Sequence, residues 1–247
     1  MMPASLAGLA FVCIAGAGLL GLALRPHEAH RAESLRETVR FTQGIVASIS
    51  ALVLGLLVAG ATDHYRGQGE QVRRMAAEVI VLDRALTQFG PEAAEARRAL
   101  RHAVEHAIEE IWATDAKRLT LPPGPNLVDA VARLETTTPR ETFLKEQALD
   151  QIVTLSRARA TLATAEHAGA IQLPVVVMLV LWFVFLFFLS SLYGQPDRLA
   201  IGAMVLASAA VASALLLVLE LDRPFQGIMA VSAVPMREAL AGLAGAR

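Results

Sequence analysis

Four stretches of this chain each run for about twenty residues without an acidic or basic side chain: Ala4 to Leu24, Phe41 to Ala61, Leu173 to Tyr193 and Leu199 to Leu219. A helix crossing a hydrocarbon layer of roughly 30 Å needs about 20 mostly apolar residues. With no water there to satisfy the backbone, such a segment must be helical. Residues 25–40 join the first two stretches and Gly194 to Arg198 join the last two, so the spans pair as two hairpins. Both termini and the middle segment then share one side of the membrane.

The expected fold is an all-α integral membrane protein with four transmembrane helices in two hairpins. An elongated soluble helical bundle lies between the second and third spans. Residues 1–61 form the first hairpin, 62–171 the bundle, 172–220 the second hairpin and 221–247 a C-terminal tail. Hydrophobic residues make up 55% of the chain, yet most of its charge falls in the middle segment, which is the mosaic this division predicts. The net charge of −1 and the scattered arginines exclude a nucleic-acid partner. No basic residue precedes the first span, and it outlasts a usual signal core, so it reads as retained. Cys13 is the only cysteine and has no partner for an intrachain disulfide; Phe11 argues against its lipidation.

Lys and Arg near span ends set orientation, but here the two sides nearly balance. The short connections carry Arg25, Arg31, Arg36, Arg40 and Arg198, and the opposite side carries Arg66, Arg73, Arg74, Arg157, Arg159 and Arg223.

In the middle segment, Val72, Met75, Val79, Leu82, Leu86 and Phe89 alternate steps of three and four, the spacing of a helix buried along one stripe. Gly90 stops that helix in left-handed geometry and Pro91 opens the next, with Leu100, Val104, Ile108 and Ile111 inward. Pro122-Pro123-Gly124-Pro125 breaks the pattern, and Asn126 caps a short helix to about Leu134. Thr138-Pro139-Arg140-Glu141 has the form of a capping box. It starts a long helix with Leu144, Ala148, Ile152, Leu155 and Leu162 inward, able to run almost unbroken into the third span.

No catalytic, cofactor or metal residues are assigned, and the chain does not read as an enzyme. His102-Ala103-Val104-Glu105-His106 fits the pattern of inverted zinc peptidases, but Arg101 and Glu109 make it an exposed polar face. His27, Glu28 and His30 could gather a metal, yet a solvated loop explains them as well. Within the spans, polar side chains such as Thr42, Gln43, Ser48, Ser50, Ser208 and Ser213 are uncharged and no buried ion pair is present, which disfavours proton-coupled transport.

The second span carries Ala47, Ala51, Gly55 and Ala59 at four-residue steps, a face that should pack against a helix. Offset from it, Ile45, Ile49, Leu52 and Leu56 meet lipid or line an apolar constriction. The fourth span has a small-residue stripe at Ala203, Ala207, Ala210 and Ala214. The third, bulky with Trp182, Phe183, Phe185, Phe187 and Phe188, is expected to face lipid more. The fourth ends in Glu220-Leu221-Asp222-Arg223-Pro224-Phe225-Gln226-Gly227, either a packed junction or a plain stop-transfer flank.

The chain resembles a bacterial family of bestrophin-like membrane proteins. The residues that carry the resemblance are Ala51-Leu52-Val53-Leu54-Gly55-Leu56-Leu57, Leu82-Asp83-Arg84-Ala85-Leu86, Phe89-Gly90-Pro91-Glu92 and Leu221-Asp222-Arg223-Pro224-Phe225-Gln226-Gly227. Its layout is also similar to that of bestrophin anion channels. That resemblance implies a homo-oligomer in a bacterial inner membrane, with cytoplasmic termini and bundle. It implies a pore lined by the second span, an inorganic anion as permeant, and Ile45, Ile49, Leu52 and Leu56 as the neck. It further marks Asp83, Arg84, Asp222, Arg223, Pro224 and Phe225 as family-motif junctions. Phe41 lies only at the span's edge, so no aromatic neck is expected, and no calcium-clasp acidic cluster is recognisable. The alternative is a non-conducting sensor or scaffold acting through the bundle.

Overall fold

The computed structural model describes residues 2–24, 33–112, 126–167, 173–193, 198–225 and 227–245. Among them every regular element is helical: α1 (Met2–Ala23), α2 (Glu33–Phe89), α3 (Ala94–Trp112), α4 (Leu127–Ala132), α5 (Pro139–His167), α6 (Leu173–Tyr193), α7 (Arg198–Leu221) and α8 (Val234–Gly245). Four of these, α1, α2, α6 and α7, are long and apolar enough to cross a membrane. The loop histidines, the proline cluster and the passage from α5 into α6 lie outside the described residues. The chain divides into two compact units, residues 1–64 with 169–222 and residues 65–168 with 223–247.

In the first unit, α1 packs against both α6 and α7. Its contact face is Ala7, Ala10, Ile14, Gly18 and Gly21, all buried. A Cβ on Gly21 would come within 2.5 Å of the Phe188 carbonyl oxygen, and one on Gly18 within 2.3 Å of the Met204 sulfur. Glycine here lets two backbones approach, the device by which membrane helices gain contact where hydropathy offers no contrast. Ile14, Val176, Leu179, Phe183, Leu186 and Leu215 form the core, with Val46, Val53, Leu54 and Leu57 of α2 against it. Within one chain the third span does not stand out as more outward-facing than the fourth. Protein buries 28% of its most apolar stretch, against 22% for the fourth span and 11% for the second. Leu179 and Phe183 are part of the reason, because aromatic and leucine side chains pack against protein as readily as against lipid.

In the second unit the heptad-like stripe is buried as its spacing demands, with Val72, Val79 and Leu82 at 0% exposure. Opposite it α3 presents Ala96, Ala99, Leu100 and Val104, and α5 presents Leu144, Ala148 and Ile152. Gly90 takes φ 118° and ψ −168°, an extended positive-φ conformation rather than the left-handed helical cap expected, and leads into a 3-10 turn, Pro91–Ala93. Asn126 caps α4 by accepting from the Val128 N–H. The capping box of α5 forms in both directions. Glu141 N–H donates to Thr138 Oγ1, and Glu141 Oε2 accepts from the Thr138 and Thr137 N–H groups.

The C-terminal segment belongs to this core. Phe225, Val231, Met236, Ala239 and Leu243 are buried in it. The Phe225 ring meets Trp112 edge to face, with centroids 5.7 Å apart, and the Trp112 indole N–H donates to the Val231 carbonyl at 2.7 Å. Arg101 donates to the Leu243 carbonyl at 2.8 Å.

Candidate functional site

At about 100° per residue, the membrane-spanning part of α2 can be laid out around its own axis. Val46, Ser50, Val53, Leu57 and Ala61 define the side turned to the rest of its unit; Ser50 and Ala61 are fully covered, and the other three lie against the core. Gln43 reaches across to Ser190, Nε2 to Oγ, at 3.5 Å. Roughly 160–200° around from Ser50 lie Phe41, Ser48, Leu52 and Ala59, all exposed. Of the residues expected at a neck, Leu52 lies on this line and Ile45, Ile49 and Leu56 lie to one side of it: Ile45 and Ile49 are 47% and 46% exposed, Leu52 and Leu56 65% and 64%. Geometry therefore places Leu52 centrally and Ile49 to one side.

The small stripe Ala47, Ala51, Gly55 and Ala59 occupies the other flank. It was expected to receive a helix, but within one chain it receives none: all four residues are exposed, and a Cβ on Gly55 would meet nothing within 4 Å. In α7, Ala203, Ala207 and Ala210 are likewise exposed, and Met204, Ser208, Ala212 and Leu215 turn inward instead. The close approach that sequence spacing assigned to these stripes is made by α1. Its signal was the run of Ala7, Ala10, Gly18 and Gly21 at steps of three, eight and three.

Several hydroxyls within the spans return to their own helices, whereas Ser191 of α6 donates to the Met204 sulfur of α7 at 3.1 Å. Ser48 donates to the Gly44 carbonyl, Ser50 to Val46, Ser208 to Met204 and Ser213 to Ala210. Such back-bonding satisfies a polar group locally, so the exposed face of α2 from Phe41 to Ala61 is apolar with no polar group demanding a partner. It can pass water or ions only where copies enclose a lumen.

The motif residues of the second unit hold structure together. Asp83 accepts from Arg97 Nε at 2.8 Å, their side chains 14% and 23% exposed, which ties α2 to α3. Its neighbour Arg84 lines an open groove with Ile80, Thr87, Ala239 and Leu243. Pro224 and Phe225 are buried, and Asp222 and Arg223 lie just after α7. His102, Glu105 and His106 are half-buried rather than exposed. His106 Nδ1 lies 3.9 Å from Glu110 Oε2 and 3.5 Å from Arg159 Nη2, and Arg159 also bonds Glu110. Among the described residues no group of three or more His, Cys, Asp or Glu is placed to hold a metal ion.

The model of the bestrophin-like domain matches residues 10–236, and the chain belongs to the bestrophin-like family. No curated protein and no solved structure matches it.

Proposed function

We propose that this bestrophin-like membrane protein assembles into a closed homo-oligomeric ring, with the membrane-spanning part of α2 lining a central pore that conducts inorganic anions. The observation that carries the reading is the exposure of α2. Of the four spans it is the least covered by its own chain, with 11% of its most apolar stretch buried. Its outward side also divides into a line of small residues and a line of Ile and Leu. In a ring, the small line suits the close approach of a neighbouring copy. Leu52, flanked by Leu56 and Ile49, supplies an apolar constriction that closes by dewetting. Family membership supports the bestrophin layout, in which the soluble helices and both termini are cytoplasmic and the spans lie in a bacterial inner membrane. No catalytic chemistry is assigned.

The test is the oligomeric mass of the full chain in detergent by native mass spectrometry, joined to chloride flux in proteoliposomes. A closed ring whose flux rises on Leu52→Ser is the expected result. A monomer or dimer has no central lumen and would replace the channel with a non-conducting scaffold.

A further inference from the structure

Between α7 and α8 the chain runs from Pro224 to Met236 without an acidic or basic residue, and Arg223 and Arg237 bound the run. Its apolar residues divide into two sets. Phe225 and Val231 turn inward, 7% and 6% exposed, and Trp112 meets the ring of the first and the carbonyl of the second. The Val231 N–H closes the base by donating to the Pro224 carbonyl. Between these anchors Gly227, Ile228, Met229 and Ala230 are all exposed, and Gly227 takes φ 91°.

Ile228 is 91% exposed and Met229 41%. No other large hydrophobic side chain among the described residues is as bare as Ile228, those of the spans included. Single apolar side chains on a protein surface are ordinary. This one stands at the tip of a loop whose stems are pinned to the core, with a second long apolar side chain beside it.

The tip is also tethered. Ile228 follows Leu221, the last residue of α7, by seven residues, and seven residues reach at most about 24 Å. The bilayer that α7 crosses is an apolar phase within that reach. A second copy is a poorer occupant, because stable protein contacts bury about 800 Å² on each partner, far more than two side chains at a tip present. Insertion into a bilayer asks for less, since the spans already hold the chain at the membrane and keep the tip at high local concentration. Arg223 and Arg237, both exposed, stand where cationic flanks reach toward lipid headgroups.

We propose that Ile228 and Met229 insert into the headgroup and acyl boundary of the bilayer, about 5–10 Å deep. They attach the helical bundle to the membrane at a point besides its chain connections to the spans.

The test is a nitroxide spin label on the full-length chain carrying Cys13→Ala, reconstituted in phosphatidylcholine vesicles. At Ile228→Cys, molecular oxygen, which concentrates among acyl chains, should relax the label more strongly than a water-soluble nickel chelate. At Phe143→Cys, 63% exposed on α5 and thirty residues before α6 begins, the order should be the reverse. Because the label is itself apolar, a second chain carries it at Met229→Cys with and without Ile228→Asp, a change at a side chain too exposed to disturb the core. Ile228→Asp should turn the label from oxygen-dominated to nickel-dominated relaxation. A label at 228 that nickel reaches better than oxygen would overturn the anchor, and so would an order at 229 that Ile228→Asp leaves unchanged. A label at 228 that neither reagent reaches would also overturn it, because a second copy would then be what covers the tip.

Discussion

At Gly21, Gly18 and Gly16, one residue type on one helix meets three different surroundings, and the three substitutions to alanine should separate cleanly. The Cβ of Gly21→Ala would collide with a backbone oxygen of α6, which yields only if the helices part. That should cost about 1–3 kcal/mol, the range for overpacking. At Gly18 the obstacle is the Met204 thioether, the end of a flexible side chain, so the cost is smaller. At Gly16 nothing lies within 4 Å, and alanine should be neutral or slightly stabilising. Thermal unfolding of the three variants in detergent should rank them in that order, and equal losses at all three would remove the close-approach face. Glu141 makes a different residue-scale prediction. Bonds from the Thr137 backbone N–H, then the Thr137 hydroxyl and the Thr138 backbone N–H, hold its carboxyl below the ordinary value of 4.5. A carboxylate lowered on folding stabilises fully above its unfolded pKa, and that support disappears as pH falls through the folded one. Amide exchange at Thr137 and Thr138 should therefore quicken, relative to the rest of α5, as pH drops below about 4.5. Glu141→Gln should remove this pH dependence, because its amide oxygen accepts without titrating.

Among the elements, the soluble helices were the most legible. Steps of three and four from Val72 to Phe89 placed six buried residues correctly, because water and protein core differ so sharply that the stripe must show in sequence. The same logic fails inside the membrane. Lipid and protein interior are equally apolar, so hydropathy could not tell the covered Leu179 from the exposed Leu181. The third span was accordingly expected outward, and the packing face of α1 went unread. Gly90 shows a finer failure: that a glycine ends α2 was legible, but which positive-φ basin it occupies depends on the 3-10 turn that follows. Asp83 was marked by resemblance alone; its partner Arg97, fourteen residues on, became visible only when α2 and α3 were laid side by side. Removing one member of a largely buried pair takes the nearest counter-charge from the other, so Asp83→Ala should cost about 2–3 kcal/mol. The double variant with Arg97→Met should recover part of that. A double-mutant cycle on thermal stability measures the coupling, and strict additivity would reduce the pair to a surface contact.

For the whole molecule, the argument turns on what covers α2. One copy leaves both outward flanks of the span bare, and an apolar helix face in a membrane can lie against lipid or against another copy at little difference in hydrophobic energy. The choice then falls to shape. Gly55 has open space where a Cβ would stand, so Gly55→Leu is harmless to the folded chain and should cost stability only if a neighbour's backbone lies there. Leu206 on α7 is 73% exposed, and Leu206→Phe provides the matching change on the exposed face of a span outside the proposed contact. If copies close a ring along the small-residue flank, Gly55→Leu should weaken assembly by at least about tenfold, or about 1.4 kcal/mol, with each chain still folded. Leu206→Phe should leave the oligomer intact. Native mass spectrometry across a dilution series reads both. Were Gly55→Leu as silent as Leu206→Phe, lipid would be what covers that flank, and a ring would have to close through the Ile45, Ile49 and Leu56 side, bringing the small residues toward the lumen.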